Sequence, residues 1–429
     1  MAGESGIRRR AVITGLGVIA PGGNGRKAFW ERITSGVSAI RGITLFDPTG
    51  LRSRIAGECD FDPEAHGLGP RDIRRMDRCV QLGVAATREA LEDSGLDIGA
   101  GAQNPDRIAV SMGTAIGPAT RMESEYVVLS DRAKLWVVDH TYVMPYSYES
   151  LIPSSLAVET ARLAGAEGPV GLVSNGCTTG LDALGHAAAL IEEGSADIVV
   201  AGSSDSPITP TAVAAFDVIR ATSPNNDDPA HASRPFDLHR DGFVLAEGAA
   251  TLIVEELGHA QRRGAHIYCE ISGYAARSNA FHMAALKNDG LDLAEAIRVA
   301  LDRAEVAPED LDYINAHGSS TPQNDRHETN AFKTALGEHN ARRTPISSIK
   351  SVIGHPLGAI GSMEIAACAL AIEEGAVPPT ANLHTPDPDC DLDYVPLTAR
   401  EQRTDTVLTV ASGFGGFQCA MVLTKAAAA

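Results

Sequence analysis

Two stretches of the sequence decide the fold: Gly180-Leu-Asp-Ala-Leu-Gly-His-Ala-Ala-Ala-Leu-Ile-Glu-Glu-Gly194 and Gly361-Ser-Met-Glu-Ile-Ala-Ala-Cys-Ala-Leu-Ala-Ile-Glu-Glu-Gly375. Both are rich in alanine and end in Ile-Glu-Glu-Gly, and the same offset of 181 residues separates their two starts and their two ends. An internal repeat of this kind indicates a duplicated unit. A chance likeness is the alternative, because two alanine-rich helices resemble each other through helix propensity alone.

Outside the two copies, short apolar runs bounded by glycine alternate with alanine-rich segments. The runs are rich in β-branched residues, as is typical of buried strands, and cover residues 10–15, 107–111, 170–174 and 198–202. The alanine-rich segments have helical spacing and cover residues 80–94, 180–194, 293–303 and 362–375. This alternation predicts an α/β protein with helices around mostly parallel sheets.

The two halves of the predicted duplication meet near residues 257–265. There Leu-Gly-His-Ala-Gln-Arg-Arg-Gly-Ala interrupts the apolar pattern before a strand predicted over residues 266–273. We therefore divide the chain into an N-terminal half, residues 1–262, and a C-terminal half, residues 263–429. Each half is expected to contribute a functional loop to one shared cleft.

The composition is that of a globular protein and excludes several classes of function. Of the 429 residues, 44% are hydrophobic and 21% charged, and the formal net charge is −19. Such an acidic chain is unsuited to nucleic acid or to an anionic membrane surface, since both require a basic face. No apolar run reaches membrane-spanning length. Seven widely spread cysteines without a C-x-x-C pair indicate neither a disulfide framework nor a zinc ribbon, so we expect a cytoplasmic protein without an export signal.

A glycine pattern near the N-terminus, Gly15-Leu-Gly17-Val-Ile-Ala20, is similar to a dinucleotide-binding turn. The match is weak, because Pro21 stands where the pyrophosphate-binding helix should begin and no acidic residue follows at the usual interval. We therefore expect no organic cofactor here.

The segment Ser174-Asn-Gly-Cys177-Thr-Thr-Gly180 lies between a predicted strand and the first alanine-rich helix. This places Cys177 at or near a helix N-terminus, where unpaired N–H groups and the helix dipole lower the pKa of a thiol and can bind an oxyanion. Most buried cysteines are structural. The flanking glycines and hydroxyl groups favour a reactive thiol, and Cys177 is the candidate nucleophile.

Two histidine loops follow in the C-terminal half: Asn315-Ala-His317-Gly-Ser319-Ser-Thr321 and Lys350-Ser-Val-Ile-Gly-His355-Pro-Leu-Gly. Each comes after a predicted strand, and loops at the carboxyl ends of strands supply active-site groups in α/β proteins. Both histidines are therefore expected to converge on Cys177. A zinc site made by these three residues is the alternative, although no two of them form the close pair that metal sites usually contain.

A glycine-rich turn, Ser412-Gly-Phe414-Gly-Gly-Phe417, follows an apolar run near the C-terminus. Taken alone it is a tight turn that closes a hairpin, since glycine turns are more often structural than catalytic. Its position beside the other loops makes it a candidate part of the same site.

These four segments, in this order and at these separations, resemble the β-ketoacyl-carrier-protein synthases of the thiolase-like superfamily. The resemblance covers essentially the whole chain and includes Arg234-Pro-Phe-Asp237 and Arg240-Asp-Gly-Phe-Val-Leu-Ala-Glu-Gly248. It implies a thiolase-like fold, which is a duplicated α/β unit in five layers (αβαβα). It also implies an acyltransferase that performs decarboxylative Claisen condensation on carrier-bound substrates, without an organic cofactor or a metal.

Within this family the chain looks most like the catalytic (alpha) ketosynthase subunits of bacterial aromatic polyketide synthases. The segments that carry this likeness are Pro207-Ile-Thr-Pro210, Ala230-His-Ala-Ser-Arg-Pro-Phe, Gln323-Asn-Asp-Arg-His-Glu-Thr329, Asp391-Leu-Asp-Tyr-Val-Pro and Gly413-Phe-Gly-Gly-Phe-Gln418. The likeness implies two partners, an acyl carrier protein and a chain length factor that completes a heterodimer. A homodimeric fatty-acid synthase is the first alternative, although those enzymes usually have Thr-Asn at Phe417-Gln418. A non-catalytic partner subunit is the second, and retention of Cys177 counts against it.

The resemblance also implies a role for each loop. Cys177 accepts the growing acyl chain as a thioester. His317 and His355 donate hydrogen bonds to the malonyl thioester carbonyl and stabilise the enolate that forms as carbon dioxide leaves. The backbone N–H groups of Cys177 and Phe414 form an oxyanion hole, and the Phe414 ring resembles a gate.

Four further residues match supporting positions of the family. Lys350 and Glu328 support the histidines, and a structural ion pair is a compatible reading of the same two residues. Ser319 and Thr321 match hydroxyl groups that hold the pantetheine arm.

Two positions depart from the alpha subunits. Asn175 stands where they often have threonine, which implies altered surroundings for the nucleophile. Pro356 stands where many have serine, so self-loading through that serine is excluded.

The acidic carrier protein requires a local basic patch on this acidic chain. The segment Pro70-Arg-Asp-Ile-Arg-Arg-Met-Asp-Arg78 supplies a candidate, with at least three arginines predicted on one helical face. Arg71, Arg74 and Arg75 match carrier-docking positions of the family. An ordinary solvated helix face is the alternative.

Overall fold

The computed structural model describes residues 9–98, 103–132, 134 and 139–426. The strands are β1 Ala11–Ala20, β2 Gly23–Asn24, β3 Arg41–Gly42, β4 Ile55–Ala56, β5 Ile108–Gly113, β6 Val170–Val173, β7 Ile198–Asp205, β8 Gly248–Glu256, β9 Cys269–Ser278, β10 Tyr313–Asn315, β11 Ile346–Ser347, β12 Ala376–Val377, β13 Arg400–Glu401, β14 Thr406–Gly413 and β15 Phe417–Thr424. The helices are α1 Arg26–Ser35, α2 Pro70–Arg75, α3 Arg78–Ser94, α4 Ala119–Leu129, α5 Ser147–Leu151, α6 Ser155–Ala164, α7 Thr179–Glu192, α8 Pro210–Val218, α9 Leu257–Arg262, α10 Leu291–Ala304, α11 Pro322–Leu336, α12 Glu338–Arg343, α13 Lys350–Ile353 and α14 Ile360–Glu374. Every strand and helix predicted above from the apolar runs and alanine-rich segments is present, with ends shifted by a few residues.

The central sheet has eleven strands, which are two five-stranded halves with the same arrangement and the short β2, which pairs with β1. In the N-terminal half the order is β6-β5-β7-β8-β1, and in the C-terminal half it is β11-β10-β14-β15-β9. In each half the first three strands are parallel and the last two are antiparallel to their neighbours. The sheet is therefore less parallel than predicted, because β8 and β1 in one half and β15 and β9 in the other run antiparallel to their neighbours. The halves join where β1 pairs with β9 at Val12 and Ile13.

The two alanine-rich copies form the central layer between the halves of the sheet. Helices α7 and α14 cross at Gly180 and Gly361, where a Cβ atom on either glycine would overlap the backbone of the other helix. All residues of α14 from Ile360 to Ile372 are buried, as is typical of a helix covered on every side. One hydrophobic cluster contains side chains from both helices and from strands of both halves.

Two outer layers complete the predicted αβαβα arrangement. Helices α3 and α6 pack with β5, β7 and β8 in a second hydrophobic cluster on the N-terminal half. Helices α10 and α11 pack with β10, β14 and β15 in a third cluster on the C-terminal half. The layers place the carboxyl ends of β6, β10 and β14 around one site.

The glycine pattern near the N-terminus lies inside a strand. Gly15 and Gly17 belong to β1, and a Cβ atom on Gly17 would overlap the carbonyl oxygen of Ala86 in α3. These glycines therefore allow a helix to approach a strand closely and do not form a phosphate-binding turn.

The proposed boundary between residues 262 and 263 falls between α9 and β9. The division into two units stays a prediction, because the two halves share one sheet and one central layer. No helix among the described residues is long and apolar enough to cross a membrane.

Candidate active site

Cys177 lies in a short turn between β6 and α7. A single 3₁₀ turn, Gly176–Thr178, leads into the helix at Thr179. Gly176 has a φ of 59°, in the left-handed region that favours glycine. The Cys177 side chain is nearly buried, and its placement before a helix N-terminus agrees with the prediction.

The predicted low pKa of this thiol is wrong. Burial raises the pKa of Cys177 to about 11, although the charge of Lys350 and the N–H group of Phe414 lower it. The loss of water around the sulfur therefore outweighs the effect of the helix N-terminus.

His317 and His355 meet at the pocket that also contains Cys177. Their rings are 5.2 Å apart between centroids and nearly perpendicular, at 78°. Burial, together with the charge of Lys350, lowers the pKa of both imidazoles well below the usual value. Both rings are therefore neutral near pH 7, and each has one N–H donor and one acceptor nitrogen. The Nδ1 atom of each ring is buried and has no hydrogen-bond partner among the described residues.

Lys350 lies at the start of α13 and is fully buried. Its ammonium group donates hydrogen bonds to the backbone oxygen of His317 and to the carboxylate of Glu364, both at 2.5 Å. Burial raises the pKa of Glu364 to about 7, while Lys350 opposes that shift. Lys350 thus forms an ion pair with Glu364, and its other hydrogen bond fixes the backbone of His317.

Glu328 supports the same histidine from the other side. Its two oxygens accept hydrogen bonds of 2.6 Å from the backbone N–H groups of His317 and Gly318. The side chain of Asn324 donates a third, at 2.8 Å. Burial raises the pKa of Glu328 to about 8. Glu328 and Lys350 both act on the backbone of the His317 loop and are not paired with each other.

Phe414 lies in the turn between β14 and β15, with its ring at the mouth of the pocket. The ring is 37% exposed and stacks on Phe216, with centroids 6.5 Å apart. Phe216 in turn meets Phe243 edge-on, and Phe243 meets His355 edge-on, each with centroids 5.4 Å apart. Aromatic contacts therefore connect the Phe414 ring to one of the two histidines.

Ser319 and Thr321 also line the pocket, and their hydroxyl groups are 2.9 Å apart. Ser320 between them has a strained φ of 68°, and its hydroxyl accepts a hydrogen bond from the N–H group of Arg234. The N–H group of Phe236 likewise binds Asp325 at the start of α11. The Arg234-Pro-Phe-Asp segment thus holds the loop that presents the two hydroxyl groups.

The arginines of the predicted basic patch divide into two sets. Helix α2 contains three of them, Arg71, Arg74 and Arg75, at the helical spacing that the sequence predicts, but only two of the three are exposed. Arg71 and Arg74 are exposed, whereas the Arg75 side chain is 7% exposed and forms ion pairs with Asp72 and Glu159. Arg78 begins the next helix and pairs with Glu247. Of these four arginines, Arg71 and Arg74 have exposed side chains.

Two buried carboxylates near the site were missed by sequence reasoning. Glu364 lies inside the second alanine-rich repeat. The sequence marks it only as an acidic residue within the otherwise apolar part of that repeat. Asp205 ends β7 and accepts hydrogen bonds from the Thr114 hydroxyl and the N–H groups of Ala115 and Ile116. Burial raises its pKa to about 6. Nothing in the local sequence around Asp205 distinguishes it from a surface turn residue.

The described residues contain no group of three or more His, Cys, Asp and Glu side chains arranged to hold a metal ion. Cys177, His317 and His355 therefore converge on one pocket without the geometry of a zinc site. A nucleophile, two neutral donors and a partly exposed aromatic ring suit acyl transfer better than metal binding.

Two family models match consecutive parts of the chain. The model described as "Beta-ketoacyl synthase, N-terminal domain" matches residues 8–260, and "Beta-ketoacyl synthase, C-terminal domain" matches residues 268–384.

Relatives match the chain over nearly its full length. The granaticin polyketide putative beta-ketoacyl synthase 1 of Streptomyces violaceoruber is 62% identical, over 97% of this chain and 98% of the relative. The tetracenomycin polyketide synthase ketoacyl synthase alpha subunit of Streptomyces glaucescens is 60% identical, over 97% of each chain. The 3-oxoacyl-[acyl-carrier-protein] synthase 2 of Coxiella burnetii is 40% identical, over 97% and 99%.

Two solved structures have the same fold. A ketosynthase complex, described as a type II polyketide synthase acyl-carrier protein with its ketosynthase bound to the hexaketide, has a TM-score of 0.91 and 38% identity and covers 98% of this chain and 100% of that chain. The ishigamide ketosynthase/chain length factor has a TM-score of 0.89 and 32% identity with the same coverage. Together with the converging loops, these matches establish that the chain has the thiolase-like fold and belongs to the β-ketoacyl synthase family.

Proposed function

We propose that the chain is the catalytic ketosynthase subunit of a type II aromatic polyketide synthase, which extends a poly-β-ketone with malonyl units on an acyl carrier protein. The observation that carries this proposal is the convergence of Cys177, His317, His355 and the Phe414 turn on one pocket. Identities of about 60% to polyketide ketosynthases, against 40% to a fatty-acid-type synthase, favour the polyketide reaction.

In the first step the Cys177 sulfur attacks the thioester carbonyl of a carrier-bound acyl chain. The bond from that carbonyl to the pantetheine sulfur breaks, the thiol proton passes to the leaving pantetheine thiolate, and the acyl chain is held on Cys177. Because burial raises the pKa of Cys177, the charge of Lys350 and the N–H group of Phe414 assist the attack by favouring the developing thiolate. Ser319 and Thr321 hold the pantetheine arm in this proposal.

In the second step a malonyl group enters on its own carrier protein and loses carbon dioxide. The electron pair of the broken carbon–carbon bond becomes an enolate on the thioester. The neutral His317 and His355 rings stabilise that enolate by donating hydrogen bonds to its oxygen. Lys350, Glu364 and Glu328 keep the His317 backbone in place for this task.

In the third step the enolate carbon attacks the thioester of Cys177. The oxyanion is bound by the N–H groups of Cys177 and Phe414, and its collapse returns the Cys177 thiolate. This thiolate takes up a proton from water, because burial raises the pKa of Cys177, and the thiol is ready for the next cycle. The product is the acyl chain, longer by one ketide unit, on the carrier protein. No external oxidant or reductant is needed for this sequence.

The partners of the reaction follow from the same proposal. An acyl carrier protein delivers both substrates, with Arg71 and Arg74 as its docking residues. A chain length factor pairs with this chain to form the working heterodimer. Seven unpaired, buried cysteine thiols support a reducing cytoplasmic setting.

Intact-protein mass spectrometry tests the chemistry. After incubation with acetyl-loaded carrier protein, we expect a mass increase on the wild type that maps to Cys177 and is absent from Cys177→Ala. An unmodified wild type, or an equally modified Cys177→Ala variant, would refute the catalytic assignment.

Expression with and without a candidate chain length factor tests the assembly. The polyketide proposal predicts that malonyl-carrier protein alone yields an unreduced poly-β-ketone only when the partner is present. A soluble homodimer that elongates saturated acyl chains by itself would point instead to a fatty-acid synthase.

A further inference from the structure

Asp182, in the first turn of α7, collects hydrogen bonds close to the nucleophile. Its Oδ2 atom accepts from the Asn175 amide and the Thr178 hydroxyl, each at 2.8 Å. Its Oδ1 atom accepts from the Tyr274 hydroxyl at 2.5 Å and the Cys419 thiol at 2.8 Å. The side chain is only 8% exposed. Since a carboxylate has about four acceptor positions, these donors use its full capacity.

Two of the four donors flank Cys177 in the sequence. Asn175 precedes the 3₁₀ turn, and Thr178 ends it. The backbone of Asn175 is held as well, because its N–H group donates to the Thr179 hydroxyl at 2.9 Å. Its carbonyl oxygen lies 3.0 Å from the Thr178 hydroxyl, whose single hydrogen is shared between this oxygen and Asp182. The Asp182 carboxylate therefore anchors both ends of the turn that presents the nucleophile.

The other two donors come from the C-terminal half of the molecule. Tyr274 lies on β9 and Cys419 on β15, the strand that begins immediately after the Phe414 turn. The nucleophile turn and the Phe414 turn are neighbours, since a Cβ atom on Gly413 would contact the Cys177 nitrogen at 3.4 Å. Asp182 thus connects the Cys177 turn to the strand that fixes the second oxyanion donor.

We propose that Asn175 and Asp182 are positioning residues that set the Cys177 sulfur against the backbone N–H group of Phe414 during acyl transfer. The inference rests on the proposed function, in which Cys177 accepts the acyl chain. It assigns a role to the Asn175 amide, which donates to the Asp182 carboxylate at 2.8 Å.

Two substitutions can break the hydrogen bond between Asn175 and Asp182 and then restore it with donor and acceptor exchanged. Asn175→Asp places two carboxylates at a contact distance of 2.8 Å, so the turn must shift. Adding Asp182→Asn exchanges donor and acceptor. The new amide then donates to the carboxylate introduced at position 175 and to the Thr178 oxygen, while its carbonyl oxygen still accepts from Tyr274 and Cys419. Glu192→Gln, an exposed charge removal on the same helix, is the matched control.

The readout is the rate constant for acylation of Cys177 by acetyl-carrier protein, measured by rapid quench and intact-protein mass spectrometry. Asn175→Asp should lower it by about 10- to 100-fold, as expected when a nucleophile is displaced by a fraction of an ångström to about 1 Å. The exchange variant should recover most of that loss, and Glu192→Gln should match the wild type. The KM for carrier protein should be the same in all four proteins, because the docking arginines lie on another helix.

Three outcomes would overturn the inference. They are a wild-type acylation rate in a folded Asn175→Asp variant, an exchange variant as slow as the single variant, and a loss that appears only in KM. If Asn175→Asp does not fold, the exchange variant decides alone, since it must fold and acylate nearly as fast as the wild type. Failure of the proposed function is distinct, because the wild type itself would then take up no acyl group.

Discussion

At the scale of single residues, the site depends on charges that the protein keeps away from water. His317 and His355 sit beside a buried ammonium group, so a second positive charge there is doubly unfavourable. This arrangement keeps both imidazoles neutral, which suits them for donating hydrogen bonds to an enolate without transferring a proton to it. Two experiments test this arrangement: the pH dependence of decarboxylation and the replacement of Lys350.

Decarboxylation by a Cys177→Ala variant should show no titration of His317 or His355 near pH 6.5, the ordinary pKa of a histidine. Glu364 and Glu328, whose pKa values burial raises to about 7 and about 8, titrate in the neighbouring range and contribute separately. The pKa of both imidazole rings is lowered well below the ordinary value of a histidine, so the neutral form of each ring dominates. Release of carbon dioxide from malonyl-carrier protein is the measurement. An inflection near pH 6.5 that persists in Cys177→Ala/Glu364→Gln and is absent from carrier binding would contradict this electrostatic account.

Lys350→Met should destabilise the protein by about 3–5 kcal/mol, because it leaves the Glu364 carboxylate buried without its partner. Adding Glu364→Met removes that charge and should restore most of the free energy of unfolding in urea. Condensation should stay lowered by about tenfold or more in the double variant, since Cys177 still lacks the positive field. Recovery of activity together with stability would mean that the ion pair is only structural.

Sequence reasoning found the residues of this site more easily than their properties. Cys177, His317, His355 and Phe414 all follow strands in recognisable loops, so their convergence could be predicted from the α/β pattern. The raised pKa of Cys177 could not, because it depends on how much water the surrounding side chains exclude. Glu364 and Asp205 were missed for the related reason that their partners come from distant parts of the chain.

At the scale of elements, α2 shows how the end of a helix decides which charges are available. The helix stops at Arg75, whose guanidinium turns inward to Asp72 and Glu159, while Arg71 and Arg74 remain on the surface. The local pattern of arginines could not reveal this division, since Glu159 lies on α6. Variants of exposed Arg71 and Arg74 can therefore be compared with a variant of buried Arg75.

Arg71→Glu and Arg74→Glu should each raise the KM for malonyl-carrier protein by about tenfold at low salt, with little change in kcat or in unfolding. The effect should shrink at high salt, because exposed charges are screened. Arg75→Ala should instead lower the free energy of unfolding by about 3 kcal/mol, as for other broken buried pairs. Steady-state kinetics and urea denaturation separate the two classes, and a KM effect confined to Arg75 would reverse the assignment.

At the scale of the whole molecule, the junction between the halves contains a buried carboxylate network. Although burial opposes it, hydrogen bonds from Arg263, His259 and Thr14 lower the pKa of Glu255 to about 2. These partners come from β1, from α9 and from the connection between α9 and β9. The network thus ties the connection between the halves to the central sheet.

Glu255 should stabilise the fold fully above its unfolded pKa and lose that contribution as pH falls from about 4.5 to about 2, since a depressed pKa means that the folded state favours the ionised form. Glu255→Gln should therefore lower the unfolding temperature at about pH 7, and the difference from the wild type should narrow towards about pH 3. Thermal unfolding followed by circular dichroism provides the test. A difference that stays constant over this range would indicate a packing effect instead.

The crossing of α7 and α14 at Gly180 and Gly361 sets a rule for recombination between relatives. Each helix follows a loop of the site, with Cys177 before α7 and His355 before α14. The distance between the two helices therefore also sets the distance between Cys177 and His355. A chimera spliced near residue 262 inherits one side of this crossing from each parent. Whether two parents are compatible therefore depends first on Gly180 and Gly361, which are far from the splice in the sequence. A chimera whose halves do not fit at these glycines is expected to misplace Cys177 relative to His355.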